Sequence, residues 1–489
     1  MKQILLALGL ILSLSATWAM DETAASAVPA TETAIQPAGA AAPVDLPPPP
    51  PVQEIAVTPA PVQEESASMK LAAMQKKLAA QKIELFRTTI RNTEPKKNLF
   101  SRLLTSSQNP IDAELLAEMR RFVESHPELP ETAEVYLLMA QVHQRIGEYP
   151  AAAIDLLLLR AAYPDSPFEK EAAKRLQVLA GDDLKKHADM LKATGAKIAS
   201  LKGEREERVV GLLRQLGENT EKDFARAIAD ACASFLVSNQ GWLQEDLVQH
   251  VWARQVALLD AQTAVYHYDK LLALYPESVL RANGLLGKAT IQRKNMQAYA
   301  QAAATYHQLI AQFPDSAETK QAYEALATMY DAEMQDYPNA IKTCEAIVAR
   351  YKDDPMVLRA LRLMANIQQN KISQPAQAIE SHLRIADLFK GNEGLEALLA
   401  AERLALFTTR DWAKAIDINH RIMAFLPGHE EAIKAEFKNA EITEEKLGDK
   451  AAARALYAAF LDKHPRHELA RDASRRIEAI DKAIGSASR

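Results

Sequence analysis

The sequence predicts an all-α solenoid of stacked helix-turn-helix repeats, and three observations carry that expectation. Ten marks recur along the 489 residues at steps of 37 or 38: Pro127, Pro164, Lys202, Asn239, Pro276, Pro314, Lys352, Lys390, Pro427 and Pro465. Twelve residues before eight of them stands an alanine: Ala152, Ala227, Ala264, Ala302, Ala340, Ala378, Ala415 or Ala453. The stretch from alanine to mark is fixed, whereas the stretch from a mark to the next alanine is 25 or 26 residues over the last five steps. A unit of this length is one supersecondary element stacked on copies of itself.

Residues 1–19 read as a secretory signal: Lys2, an apolar run from Ile4 to Leu14, then small Thr17 and Ala19 before a cut after Ala19. The run is too short for a membrane span, which needs about 20 residues. Residues 20–66 are rich in Pro and Ala, with Pro47 to Pro51 unbroken, and read as an extended disordered linker. Residues 67–110 turn helical, with Leu71, Met74, Leu78 and Leu85 at three-, four- and seven-residue steps. That stripe suits either a helix capping the array or self-association through residues 68–91.

The array itself is expected over 111–485, degenerate at about 182–235. There the copy ending at Lys202 lacks the alanine, while Leu184, Leu191 and Ile198 fall at sevens, so degenerate repeats and an inserted helical hairpin both remain open. Elsewhere a small alanine suits two helices in close approach. An aromatic (Tyr149, Tyr299, Tyr337 or Trp412) stands three residues before it. At the far end, Tyr163-Pro164-Asp165-Ser166, Tyr275-Pro276-Glu277-Ser278 and Phe313-Pro314-Asp315-Ser316 combine a proline stop with a serine cap. Ser166 with Glu169 has the spacing of a capping box. Pro427 and Pro465 mark the last two junctions, and the charged final helix suits a polar end cap.

The pairs Ala264/Tyr268, Ala302/Tyr306 and Ala453/Tyr457, ending at Pro276, Pro314 and Pro465, resemble the second half of tetratricopeptide repeats. The Tyr/Phe-Pro-x-Ser junctions are similar to those of exported envelope members, of the Tol-Pal-associated and outer-membrane assembly types. This period exceeds the family's 34 by three or four residues, about one more turn in the first helix. The family's Trp and Leu-Gly are mostly missing there, with Leu326-Ala327 a partial match. The resemblance implies a protein-binding scaffold in envelope assembly, division or secretion.

The residues offer no chemistry to set against that. A net charge of −6 makes no case for nucleic acid. Cys232 and Cys344 stand three repeats apart and are expected buried and unpaired. His464 and His467 straddle a junction turn without a third ligand, and His429 is isolated, so surface roles are expected rather than a metal site. His382 is expected between helices, Trp412 at a turn, and Trp242 and Trp252 in a stripe with Leu243, Leu247, Val251 and Val256. No catalytic, metal-binding or cofactor-binding residue is expected, no cofactor is required, and the partner-binding residues are not named by the pattern. The expectation is a non-enzymatic scaffold for a protein or peptide partner, exported to the periplasm of a Gram-negative bacterium. The alternative is an accessory that binds peptidoglycan or another glycan, which would need several exposed aromatics on one face.

Overall fold

The computed structural model describes residues 62–94 and 110–487; residues 1–19, read as a signal, and most of residues 20–66, read as a linker, lie outside the described residues. Residues 1–67 and 68–489 separate as two units, and only the opening turns of the first helix are described in the former. Helix α1 runs Val62–Thr93, beginning inside the stretch read as linker. From residue 110 the chain is helical in antiparallel neighbours, and the described residues contain no strand.

Helix α1 caps the array with the face opposite to the expected one. Ala79, Ile83, Phe86 and Ile90 are buried against α2 (Pro110–Ser125) and α3 (Thr132–Ile146). Leu71, Met74, Leu78 and Leu85 stay 59, 73, 53 and 59% exposed. The 79/83/86/90 set is also helically spaced, but it opens on a small alanine and contains no leucine, so its pattern in the sequence is weaker than that of the leucines.

Helix α4 (Tyr149–Ala162) explains why the next stretch is irregular. Its sequence from Ala151 to Ala162 is apolar almost throughout, and Leu156, Leu157, Leu158 and Leu159 are all buried. A helix apolar on every side must be enclosed rather than stacked. Helices α5 (Glu169–Gly181), α6 (Ala188–Ile198), α7 (Arg205–Leu216) and α8 (Lys222–Ser238) all pack on it, with Leu184, Leu191 and Ile198 turned into that core. Residues 182–235 therefore resolve as helices wrapped around α4, neither a regular pair nor a projecting hairpin.

Beyond α8 the stacking is regular. The pairs are α9 (Glu245–Val256) with α10 (Ala261–Leu274), α11 (Arg281–Lys294) with α12 (Tyr299–Gln312), and α13 (Ala317–Ala332) with α14 (Tyr337–Arg350). They continue with α15 (Pro355–Asn370) and α16 (Pro375–Leu388), α17 (Asn392–Arg403) and α18 (Trp412–Phe425), and α19 (Glu430–Glu445) and α20 (Lys450–Lys463); α21 (Ala470–Ala487) closes the row. Ala152, Ala264, Ala302, Ala340, Ala378, Ala415 and Ala453 are each 0% exposed, in the first turn of their helix. Ala227 departs from this. It is only half-buried, and Ile228, Cys232 and Phe235 take the packing positions instead, at 0, 0 and 4% exposure. The register at α8 is shifted by one, with isoleucine in alanine's place, and its mark falls on Gln240 rather than Asn239.

Helix ends follow from backbone rules. Tyr163, Tyr275, Phe313, Leu426 and His464 each precede a proline, which disfavours the helical region, and each leaves the helix at φ between −137 and −123°. Serine capping is rarer than expected: Ser316 accepts from Thr319 N at 3.3 Å, but Ser166 accepts from Phe168 N and Glu169 bonds Arg160, so no capping box forms there. Glu207 instead accepts from Glu204 N at 3.1 Å, at the start of α7. Among the other expected positions, Trp412 is half-buried at the start of α18, and both cysteines are buried and free. Leu243 is 96% exposed, outside the stripe drawn for it.

Neighbouring repeats are also tied by a ladder of ion pairs. Lys320 meets Asp354 at 2.7 Å, Lys414 meets Glu380 at 2.8 Å and Lys438 meets the buried Glu402 at 2.9 Å; Arg359–Glu324 and Arg421–Asp387 repeat the theme. Exposed pairs of this kind contribute little singly. Their effect is to consume the charges on facing helices.

The turn between paired helices demands a left-handed residue five positions before the alanine. Gly147, Gln297, Gln335, Ser373, Arg410 and Gly448 hold it, with φ between 53 and 82°. Side chains resist that conformation by about 1–2 kcal/mol. Gln335→Gly should therefore raise the unfolding free energy by roughly 0.5–1 kcal/mol, and Gly147→Ala should lower it by about 1 kcal/mol. Chemical denaturation of the two variants checks both signs.

Candidate functional site

Wrapping α4 has a geometric by-product. Helix α8 crosses back to α2, where Arg120 Nη2 lies 3.4 Å from Asp230 Oδ2 and Ser234 Oγ donates to Glu124 Oε1 at 2.6 Å. Between α2, α3, α4 and α8 this leaves a half-open cavity of about 430 Å³. Its size falls within the ordinary range of ligand pockets, roughly 300–1,000 Å³. Leu116, Met139, Ile154, Leu158 and Phe235 supply apolar wall, and Arg120, Glu148, Arg226 and Asp230 supply charge. Ala227 and Ala231 keep the α8 wall low.

Inside it sit His143 and Asp155, 5 and 6% exposed, with His143 Nδ1 2.6 Å from Asp155 Oδ2. His143 Nε2 lies 3.9 Å from Glu148 Oε2. Burial opposes the imidazolium, but Asp155 and Glu148 outweigh it and hold the His143 pKa above the ordinary 6.5. Burial lifts the Asp155 carboxyl above its usual range, and His143 offsets that only in part. The Tyr136 phenol, also lining the cavity, is pushed well up by burial. The pair is thus a proton-holding, hydrogen-bonding element at the end of an otherwise mixed-polarity pocket.

The expected structural positions mostly lie elsewhere. Ala264, Ala302, Ala340, Ala378, Ala415 and Ala453 are in the stacked core, and Pro164, Pro276, Pro314, Pro427 and Pro465 are exposed at junctions. Only Ala227 reaches the cavity. His464 and His467 are held by Glu436 at 3.0 Å and Glu430 at 3.3 Å, and His382 is half-buried between helices. Among the described residues no cluster could hold a metal ion, and no helix is long and apolar enough to cross a membrane. Of the aromatics that a glycan would need, Tyr266 is 60% and Phe407 76% exposed, on separate helices, and Lys270 Nζ lies 5.6 Å from the Trp252 ring centre and 5.9 Å from that of Tyr266.

The cavity is not legible in the sequence because its walls come from residues as far apart as Ala113 and Asn239. One signal was present: the apolar run of α4, interrupted only by Asp155 before Arg160. A lone carboxylate in such a run needs a partner, and His143 on the preceding helix is within reach.

Comparison with known proteins adds the following. Residues 284–316, which are most of α11 and all of α12, match the tetratricopeptide repeat family. That stretch contains Leu286-Gly287, a Leu-Gly pair in a first helix that the alanine count passed over. No curated protein matches the chain. Among solved structures, Naa15/Naa10 bound to HypK-THB matches at 13% identity over 82% of this chain and 67% of that one, with a TM-score of 0.29. Yeast Tom70 matches at 14% identity over 86% of this chain and 96% of that one, with a TM-score of 0.21. The chain thus carries a tetratricopeptide repeat at 284–316, set in a row of helix pairs that share its register.

The proton balance of the buried pair is testable. The native pair binds more protons than the unfolded chain, so its contribution is full below pH 6.5 and is lost as pH rises through the raised His143 pKa. Asp155→Asn breaks a buried charged pair and should cost about 3–5 kcal/mol. Urea unfolding across pH 6 to 9 should show a decline for the parent protein that the variant lacks.

Proposed function

We propose that the protein is a non-catalytic scaffold that takes a segment of a protein partner in the cavity between α2, α4 and α8. The cavity itself carries the reading: it is a concave site of ligand size that combines apolar wall, small residues and charged groups on one face. The tetratricopeptide repeat at 284–316 supports it, since such arrays present surfaces to partners. The facing charges of the stacked pairs further along are already matched to one another, which leaves less for a partner there. Catalysis finds little support, because His143 is spent on Asp155 and no nucleophile is bonded to it.

The setting we propose is export to the periplasm of a Gram-negative bacterium, with a role in envelope assembly, division or secretion. Its support is the signal-like residues 1–19 and the Tyr/Phe-Pro-x-Ser junctions. The partner enters as an apolar helix or extended segment with a polar end directed to His143, a helix-in-groove mode of recognition.

Photo-crosslinking from position 238, at the rim of the cavity, should capture an envelope protein in intact cells. Ala227→Trp fills the cavity from α8 and should abolish that product while leaving the melting temperature within a few degrees. Undiminished crosslinking in the filled variant would place the partner elsewhere.

A further inference from the structure

Helix α1 leaves one face without a partner. Of the seventeen large apolar side chains exposed among the described residues, five lie within it: Met69, at 72%, joins Leu71, Met74, Leu78 and Leu85. The last four form one stripe along the side of the helix turned away from α2 and α3, since Ala79, Ile83, Phe86 and Ile90 hold the other side. Residues 69–78 are exposed throughout, and burial begins only at Ala79. Apolar side chains scattered singly on a surface need no explanation, but a continuous stripe of them marks an interaction surface.

The charge beside the stripe is one-sided. Between residues 69 and 91 stand Lys70, Lys76, Lys77, Lys82, Arg87 and Arg91 against Glu84 alone. Lys76 meets Glu131 at 3.3 Å, and Arg87 meets Glu134 at 2.6 Å and Glu84 at 2.7 Å, so two of these cations and the one acid are already matched. Among the described residues no carboxylate pairs with Lys70, Lys77 or Lys82. At 3.6 residues per turn, Lys70 and Lys77 stand on one flank of the stripe and Lys82 on the other. The chain as a whole carries −6, so this basic surface is local to α1.

We infer that α1 lays this stripe on the surface of an anionic lipid bilayer. Leucine and methionine enter the boundary between headgroups and acyl chains, while the lysines at the flanks reach the lipid phosphates with their stems along the apolar surface. The helix lies on such a surface without crossing it, because Lys70, Lys76, Lys77, Lys82 and Glu84 interrupt its apolar residues. Two other occupants fit less well. A protein groove that takes an amphipathic helix closes around its flanks, but from Ala79 to Ile90 the array already holds the far side, whereas a flat surface needs only the one face. The stripe also lacks the aromatic or arginine anchors that dominate protein interfaces. A second copy would bring basic face to basic face, and in a parallel pair Lys77 and Lys82, five residues apart on opposite flanks, would meet. The inference does not depend on the reading of the cavity, and either can fail alone.

The test is co-sedimentation of the chain from Met20, which keeps every described residue, with vesicles of phosphatidylglycerol and phosphatidylcholine in equal parts or of phosphatidylcholine alone. Residues 1–19 are left off because their apolar run would bind lipid by itself. The expected result is binding to the mixed vesicles at least about tenfold tighter than to the neutral ones, weakening as salt is raised. Lys70→Gln with Lys77→Gln should weaken it roughly thirtyfold, and Leu78→Gln about tenfold. All three side chains are exposed, so circular dichroism should show an unchanged fold; Met74→Gln repeats the apolar test if Leu78→Gln does not fold. No sedimentation with the mixed vesicles would leave the stripe to a protein and overturn the inference. Equal binding to both vesicles, undiminished binding by the variants, or a lipid-free oligomer that Leu78→Gln dissociates would overturn it as well. Ala227→Trp should bind vesicles as the parent does, which separates this result from the fate of the cavity.

Discussion

Everything in this structure depends on how closely two helices can approach at one small residue. Seven alanines of the repeat are fully buried in the first turn of a second helix, where any larger side chain would hold the pair apart. Because interiors pack near crystal density, that approach sets where the next pair can lie, and through it the whole row. The left-handed residue five positions earlier is the companion constraint: it turns the chain tightly enough for the alanine to meet its partner helix. Four of the six residues holding it are not glycine, so the stack tolerates backbone strain to keep the turn.

The same rule shows what happens when it is relaxed. At α8 the packing position holds Ile228, and the helix touches α7 only lightly; it pairs with α9 and also crosses to α4 and α2. The all-apolar α4 requires that enclosure. The cavity with His143 and Asp155 is the space left where α8 crosses α2, α3 and α4. Binding capacity thus arises where the repeat departs from its own pattern.

Much of the fold was legible in the sequence because it is local. Alanine, aromatic and proline at fixed offsets specify a helix pair and its ends, and Tyr275-Pro276 or Phe313-Pro314 can be read without knowing what lies beside them. The mark at Asn239 misled by one residue because counting from mark to mark cannot see a replacement of alanine by isoleucine. The α1 face was misread because exposed leucines at Leu71, Leu78 and Leu85 outweigh a quieter set with Ala79 and Ile83. The site was least legible of all: Asp155 and His143 are brought together by packing between helices, and no spacing records which polar side chains meet across a core.

The most direct test compares leucine at two alanines that spacing alone treats as equal. Thermodynamic stability should fall by about 1–3 kcal/mol for Ala302→Leu, which overpacks a closed helix pair, whereas Ala227→Leu, beside open space, should stay within about 0.5 kcal/mol of the parent. Equal costs at the two positions would contradict the shifted register at α8 and, with it, the origin of the cavity.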